Sequence, residues 1–160
     1  MRKVLFLLLI LAPCRAYGVT PLDQNQPVKT ELIFESEQII PGKPVRIGVK
    51  FLISKPWHIY WKEPGDAGLP TRISYSGPPG LEVGELVWPP HVKFVQPGDI
   101  TGYGYESDVE LSAPLVFKET KEDKVTLNIT ARWLSCSNTV CIPGTAKFTK
   151  DFHLAKGIIP

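Results

Sequence analysis

The chain has 160 residues, with 18 Lys and Arg against 16 Asp and Glu. Its net charge of +2 depends on its first 18 residues, which hold three basic residues and no acidic ones, so the remainder has 15 basic and 16 acidic residues and a net charge of −1. This balance gives no indication of nucleic-acid binding, and no later apolar run is long enough to cross a membrane. The remaining length suits one domain with a proper core.

Residues 1–18 have the layout of a secretory signal peptide. Arg2 and Lys3 precede the apolar run "VLFLLLILAP", and small residues follow in "CRAYG". We expect cleavage after Ala16 or Gly18, a single domain over residues 19–156, and the possible start of a linker at 157–160. Cys14 stands where a lipoprotein carries its lipidated cysteine, but the proline before it fits that interpretation poorly, so no lipid anchor is expected.

The rest of the chain has the pattern of short β-strands. "PVRIGVKFLIS" and "KVTLNITARWL" alternate apolar and polar residues with a period of two, and four further stretches, "KTELIFES", "TRISYSG", "DVELSAPLVF" and "AKFTKDFHL", are candidate strands. Turn formers separate them, and no stretch of ten residues has helical periodicity. The sequence therefore predicts an all-β fold, an immunoglobulin-like antiparallel β-sandwich.

Residues 55–90 are rich in aromatic residues and turn formers. The simplest interpretation of "WHIYWKEPGDAGLP" is core plus turns, with Trp57 and Tyr60 packed inward and Gly65 and Gly68 supplying turn conformations.

Cys136 and Cys141 lie in "WLSCSNTVCIP", which remains after removal of the signal peptide. One strand is predicted to end near Cys136 and another to run from Cys141 to Leu154, with residues 137–140 as a hairpin loop. Opposed residues on such strands are close enough for a disulfide. A bond closing about six residues stabilises by roughly 2 kcal/mol, which leaves a structural and a redox-active pair nearly equally supported. A metal site is less favoured, because two thiolates need further ligands and His58, His91 and His153 are isolated in sequence.

Five motifs in order, "WHIYW", "EPGDAGLPT", "W-P-P", "GYGY" and "W-L-x-C…C-I-P", resemble the N-terminal periplasmic domain of the thiol:disulfide interchange protein DsbD and the related suppressor-of-copper-sensitivity membrane reductases. The resemblance covers about residues 28–155. It implies an immunoglobulin-like domain in the periplasm whose cysteine pair cycles between dithiol and disulfide. It also implies that electrons come from a membrane-embedded reductase domain and pass to periplasmic thioredoxin-like proteins, including those that serve cytochrome c maturation.

The resemblance assigns the reactive pair to Cys136 and Cys141. It places His58, Tyr60 and Trp61 near that pair, and it implies that "FVQPGDITGYGY", with Phe94 and Tyr103, is a loop that caps the cysteines until a partner docks. We expect Cys141 to react first and Cys136 to resolve the mixed disulfide. No His or Lys adjoins either cysteine in sequence, so any tuning of their pKa must come from the fold.

The chain also departs from its presumed relatives. It ends at Pro160 without the transmembrane bundle and thioredoxin-like domain that full-length relatives carry, so the membrane partner is expected either in the same longer protein or in trans. Nothing indicates a metal or an organic cofactor. A relay domain would be part of a protein-disulfide reductase. The alternative is a non-catalytic immunoglobulin-like binding or assembly module with a structural hairpin disulfide.

Overall fold

The computed structural model describes residues 26–118 and 122–155. The predicted signal peptide and the predicted linker start at 157–160 lie outside these residues. Eleven strands follow one another in the described ranges, and no helix lies among them. They are β1 (Val28–Phe34), β2 (Gln38–Ile39), β3 (Pro44–Ile53), β4 (His58–Gly65), β5 (Arg72–Ser76), β6 (Glu82–Val83), β7 (Val92–Gln96), β8 (Ile100–Tyr105), β9 (Val109–Val116), β10 (Lys124–Cys136) and β11 (Cys141–Leu154). The described part of the chain therefore offers no helix that could cross a membrane.

The strands form two sheets. The smaller has the order β1-β3-β9-β6, and the larger has the order β2-β11-β10-β4-β8-β7, with β5 also paired to β10. All pairs are antiparallel except β2 with β11. The prediction of an all-β, immunoglobulin-like sandwich is confirmed.

The core lies between the two sheets and follows the period-two alternation. On β3 and β10 the predicted inward residues are all buried: Val45, Ile47, Val49, Phe51, Ile53, Val125, Leu127, Ile129, Ala131 and Trp133. Phe51 of one sheet packs edge-to-face on Trp133 of the other, with ring centroids 5.4 Å apart. The Tyr75 hydroxyl, on β5, donates a hydrogen bond to the Ile47 carbonyl at 3.0 Å and so joins the sheets by a polar contact. Burial raises the pKa of Tyr75 to about 12.

The aromatic-rich stretch is more regular than its sequence suggested. Residues 58–65 form β4, which lies in the middle of the larger sheet between β10 and β8. Its alternation divides the "WHIYW" motif between two faces, since Ile59 is fully buried in the core while His58 and Tyr60 point to the other side. That other side, shared with Cys136, is called the outer face below.

Candidate functional site

The two cysteines stand at the end of the longest hairpin of the fold. β10 and β11 pair from Lys124↔His153 to Cys136↔Cys141, as the strand pattern predicted. The cysteines are joined by a disulfide, with Cα atoms 4.0 Å apart. Their environments differ, because Cys136 is fully buried whereas Cys141 is exposed. A partner arriving from solvent therefore meets Cys141 first.

Ser137 organises the four-residue loop between the cysteines. Its backbone N–H donates to the Val140 carbonyl at 2.9 Å, and its Oγ accepts from the N–H groups of Thr139 and Val140 at 3.3 Å. Ser135, just before the disulfide, donates through Oγ to the Ile142 carbonyl at 2.9 Å. These bonds hold the two cysteines opposite each other independently of the sulfur–sulfur bond.

His58 supplies the neighbouring group that the sequence around the cysteines lacks. It is the register partner of Cys136 on β4, so Cys136 lies between Cys141 on one side and His58 on the other. The His58 side chain is buried, and this burial lowers its pKa from the ordinary value of 6.5, which favours the neutral ring. The family resemblance placed His58 near the pair, and the pairing of β10 with β4 puts it directly opposite Cys136, although β4 and β10 are far apart along the chain.

A hairpin of β7 and β8 lies over His58 and Tyr60. The Phe94 ring packs 4.1 Å from the His58 ring and 5.9 Å from the Tyr60 ring, measured between centroids. The segment expected to be a capping loop is therefore mostly strand, with only residues 97–99 in the turn. Gly98 and Asp99 adopt positive φ there, a conformation that Gly and Asp tolerate.

Gln96, a residue that the sequence did not single out, ties this hairpin to the site. The Tyr60 hydroxyl donates to Gln96 Oε1 at 3.2 Å, and the Gln96 amide nitrogen lies 3.4 Å from His58 Nε2. Gln96 thus contacts both His58 and Tyr60 and joins them to the hairpin. Burial raises the pKa of Tyr60, while the hydrogen bond to Gln96 opposes this shift.

Two glycines of the "GYGY" motif leave the space in which the Phe94 ring packs against β4. β8 lies between β7 and β4, and Gly102 faces Phe94 while Gly104 faces Tyr60. A Cβ at Gly102 would overlap the Phe94 ring, and one at Gly104 would overlap the backbone of Ile59. Without side chains at these positions, the outer face of β8 leaves room for the ring to reach His58.

Trp61 and Tyr103 lie in a separate cluster. Trp61 stacks on His91 with a centroid separation of 4.0 Å, and His91 meets Tyr103 edge-to-face at 5.7 Å. Trp88 packs edge-to-face on Trp61 at 6.5 Å. The structure thus brings His58, Tyr60 and Phe94 together, with His58 opposite Cys136, whereas Trp61 and Tyr103 both contact His91. Within the described ranges, no group of three or more His, Cys, Asp and Glu side chains could hold a metal ion.

Comparisons with known proteins identify a family and similar folds. The family described as thiol:disulfide interchange protein DsbD, N-terminal, matches residues 24–153. The fold is similar to the N-terminal periplasmic domain of ScsB from Proteus mirabilis, with a TM-score of 0.57, 22% identity, and coverage of 82% of this chain. The chain spans about half of that structure, 48%. The N-terminal domain of DsbD from Neisseria meningitidis in the reduced form matches with a TM-score of 0.45 and 14% identity, over 69% of this chain and 82% of that one. No curated protein sequence matches.

Proposed function

Because the chain belongs to the family of DsbD N-terminal domains, we propose that it is a thiol–disulfide relay domain in which Cys136 and Cys141 alternate between disulfide and dithiol. The observation that carries this proposal is the position of the bond. It joins directly opposed residues at the end of a hairpin whose hydrogen bonds already hold them together, so it adds little to the fold. Its exposed member offers a sulfur to a partner.

The proposed cycle begins with reduction of the bond. A thiolate of a donor, which we propose to be a membrane-embedded reductase domain, attacks the sulfur of Cys141 and expels Cys136 as a thiolate. A second donor thiolate then attacks the donor's own sulfur in the mixed disulfide and releases Cys141. The domain has gained two electrons and, after protonation, two protons, and the donor has become a disulfide.

The second half of the cycle returns the electrons to a thioredoxin-like acceptor. The Cys141 thiolate attacks the acceptor disulfide and forms a mixed disulfide, with one acceptor cysteine leaving as a thiolate. The Cys136 thiolate then attacks the sulfur of Cys141, which restores the original bond and frees the second acceptor thiolate. In this assignment Cys141 makes the intermolecular bond and Cys136 resolves it, as their unequal exposure favours.

The cover made by Phe94 and Gln96 fits this cycle. We propose that the β7–β8 hairpin protects the pair from stray oxidants and moves away when a partner docks. In the closed state it packs on His58 and Tyr60. We also propose residues 1–18 as a signal peptide, residues 19–156 as the exported domain, and the periplasm as the compartment, because the pair needs surroundings in which disulfides can form.

Trapping of the mixed disulfide tests the proposed function. In Cys136→Ser the resolving thiol is gone, so a covalent complex through Cys141 should accumulate with thioredoxin-like proteins of a periplasmic extract and appear on non-reducing gels. Cys141→Ser is the matched control and should trap little, because Cys136 is buried. Mass spectrometry identifies the partner. Trapping only of unrelated proteins contradicts the relay, and equal trapping by both variants contradicts the assigned order.

A further inference from the structure

A second feature of the outer face lies where β10 changes neighbours. β10 pairs with β4 only at Ser135 and Cys136, and with β5 from Asn128 to Arg132. β4 and β5 therefore diverge, and a cleft of about 560 Å³ opens between them. We call it the cationic cleft and define it by Lys62 of β4, Arg72 of β5 and Arg132 of β10, which all line it.

The charges of the cationic cleft are not balanced by neighbours. Arg72 and Arg132 are directly opposed on adjacent strands, an arrangement of like charges that costs stability. No Asp or Glu is among the described residues that line the cleft. The five ion pairs seen in residues 26–118 and 122–155 all involve other cations. Lys62 lies over the Trp61 ring, with Nζ 5.0 Å from its centroid.

The cations are the main donors that the cleft offers to an acidic side chain. The hydroxyls of Thr71 and Ser74 already donate to the carbonyls of Tyr60 and Thr130, and Leu86 and Trp88 form an apolar wall. All three cations are exposed, so their charges are available from solvent. Guanidinium groups bind carboxylates through two parallel hydrogen bonds, and two of them side by side favour a segment with more than one carboxylate.

The cationic cleft and the disulfide share one face of the sheet. Strand alternation puts Arg132, Leu134 and Cys136 on the same side of β10, and His58 and Tyr60 on that side of β4. Lys62 follows them on β4 and lines the cleft together with Arg132. Arg132 and Cys136 are four residue steps apart along β10, about 13 Å. A protein that presents a cysteine to Cys141 and extends along β10 towards Arg132 would therefore lie over the cleft.

We propose that the cationic cleft docks an acidic segment of the redox partner, placed about four extended residues from the partner's reactive cysteine. This inference rests on the relay function proposed above. Because the domain without residues 1–18 has a net charge of −1, the attraction is local to the cleft and does not follow from the overall charge. The carboxylates orient the partner so that its disulfide faces Cys141, and their negative charge offsets the mutual repulsion of the opposed arginines.

Two synthetic peptides test the proposal. Each carries one cysteine activated as a 2-pyridyl disulfide and a short Gly-Ser spacer, followed by three Asp in one peptide and three Asn in the other. The Cys141 thiolate of the reduced domain attacks the peptide sulfur and expels thiopyridone, whose absorbance reports the rate. We expect the Asp peptide to react about tenfold faster at low ionic strength, with the advantage lost at high salt.

Charge-reversal variants test whether the faster reaction of the Asp peptide depends on the cationic cleft. Arg72→Glu and Arg132→Glu should each abolish most of the advantage of the Asp peptide. Lys29→Glu, an equal change of charge at an exposed position of the smaller sheet, should keep it. Arg132→Glu should also raise the melting temperature, since it converts the opposed arginines into an oppositely charged pair. Equal rates for the two peptides, or equal loss in Lys29→Glu and Arg132→Glu, would overturn the proposal.

A binding measurement separates this inference from the relay itself. Amide chemical shifts of residues 72 and 130–132 should change when the Asp peptide with serine in place of cysteine is added, whether or not exchange occurs. Rapid exchange with both peptides at one rate and no such shifts would overturn the cleft proposal and leave the relay standing. Loss of the Asp advantage in dilute inorganic phosphate at constant ionic strength would identify a small-anion site instead and overturn the docking role.

Discussion

At the scale of single residues, the site depends on the absence of side chains at two positions of β8. Gly102 and Gly104 alternate with tyrosines in "GYGY", so the tyrosines point towards the core side while the outer face of β8 is bare. Phe94 crosses this bare strip to reach His58. The two glycines have different neighbours, however, because a Cβ at Gly102 would meet a movable ring and one at Gly104 would meet backbone.

Substitution of each glycine by alanine should therefore give different results. Gly102→Ala should displace Phe94 with little loss of stability and raise the rate at which dithiothreitol reduces the disulfide by roughly tenfold, equivalent to about 1.4 kcal/mol in favour of an open site. Gly104→Ala should destabilise the sheet, because the Ile59 carbonyl cannot move aside. Stopped-flow reduction and thermal unfolding measure the two effects. An unchanged reduction rate in Gly102→Ala would show that Phe94 does not limit access to the bond.

The sequence located some of these residues and missed others for a physical reason. The cysteine pair is visible as a spacing, and His58, Tyr60 and Phe94 belong to motifs that a family resemblance singles out. Gln96 lies in the same segment as Phe94, but its role could not be predicted, because that role comes only from contacts with side chains 36 and 38 positions away. The separation of Trp61 from Tyr60 could have been predicted from the strand pattern, since adjacent residues of a strand point to opposite faces.

At the scale of elements, the hairpin of β10 and β11 determines the geometry of the disulfide. Its period-two pattern and four-residue loop could be predicted, and its bounds at Cys136, Cys141 and Leu154 are confirmed. The hairpin of β7 and β8 was expected as a loop. The family resemblance implied that loop, but the glycines of the segment sit where pairing needs close approach or positive φ. The pairing of β8 with β7 and β4 makes most of the segment regular.

The paired strands predict that the disulfide contributes little to stability. The double variant Cys136→Ser and Cys141→Ser should lower the free energy of unfolding by about 2 kcal/mol or less, because the closed loop is short and hydrogen-bonded. Leu127→Ala, in the middle of β10 and fully buried, should cost about 2–5 kcal/mol as a reference for damage to the core. Urea denaturation measures both. A larger loss in the serine variant than in Leu127→Ala would indicate a structural brace.

At the scale of the whole molecule, the two sheets have different tasks. The smaller sheet contributes one side of the core, with Ile47, Val49, Phe51, Leu111 and Leu115 fully buried. The larger sheet carries the disulfide, the hairpin over His58 and the cationic cleft, all on its outer face. The sandwich therefore supports these features on one face of one sheet.

The central claim is that the Cys136–Cys141 bond opens and closes in use, and its reduction potential is the most direct measure. Equilibration of the domain with glutathione redox buffers, followed by alkylation and mass spectrometry of Cys136 and Cys141, gives this potential. The account predicts a value between about −120 and −270 mV, the range of proteins that exchange disulfides catalytically. A value below about −300 mV, typical of structural disulfides, would contradict it.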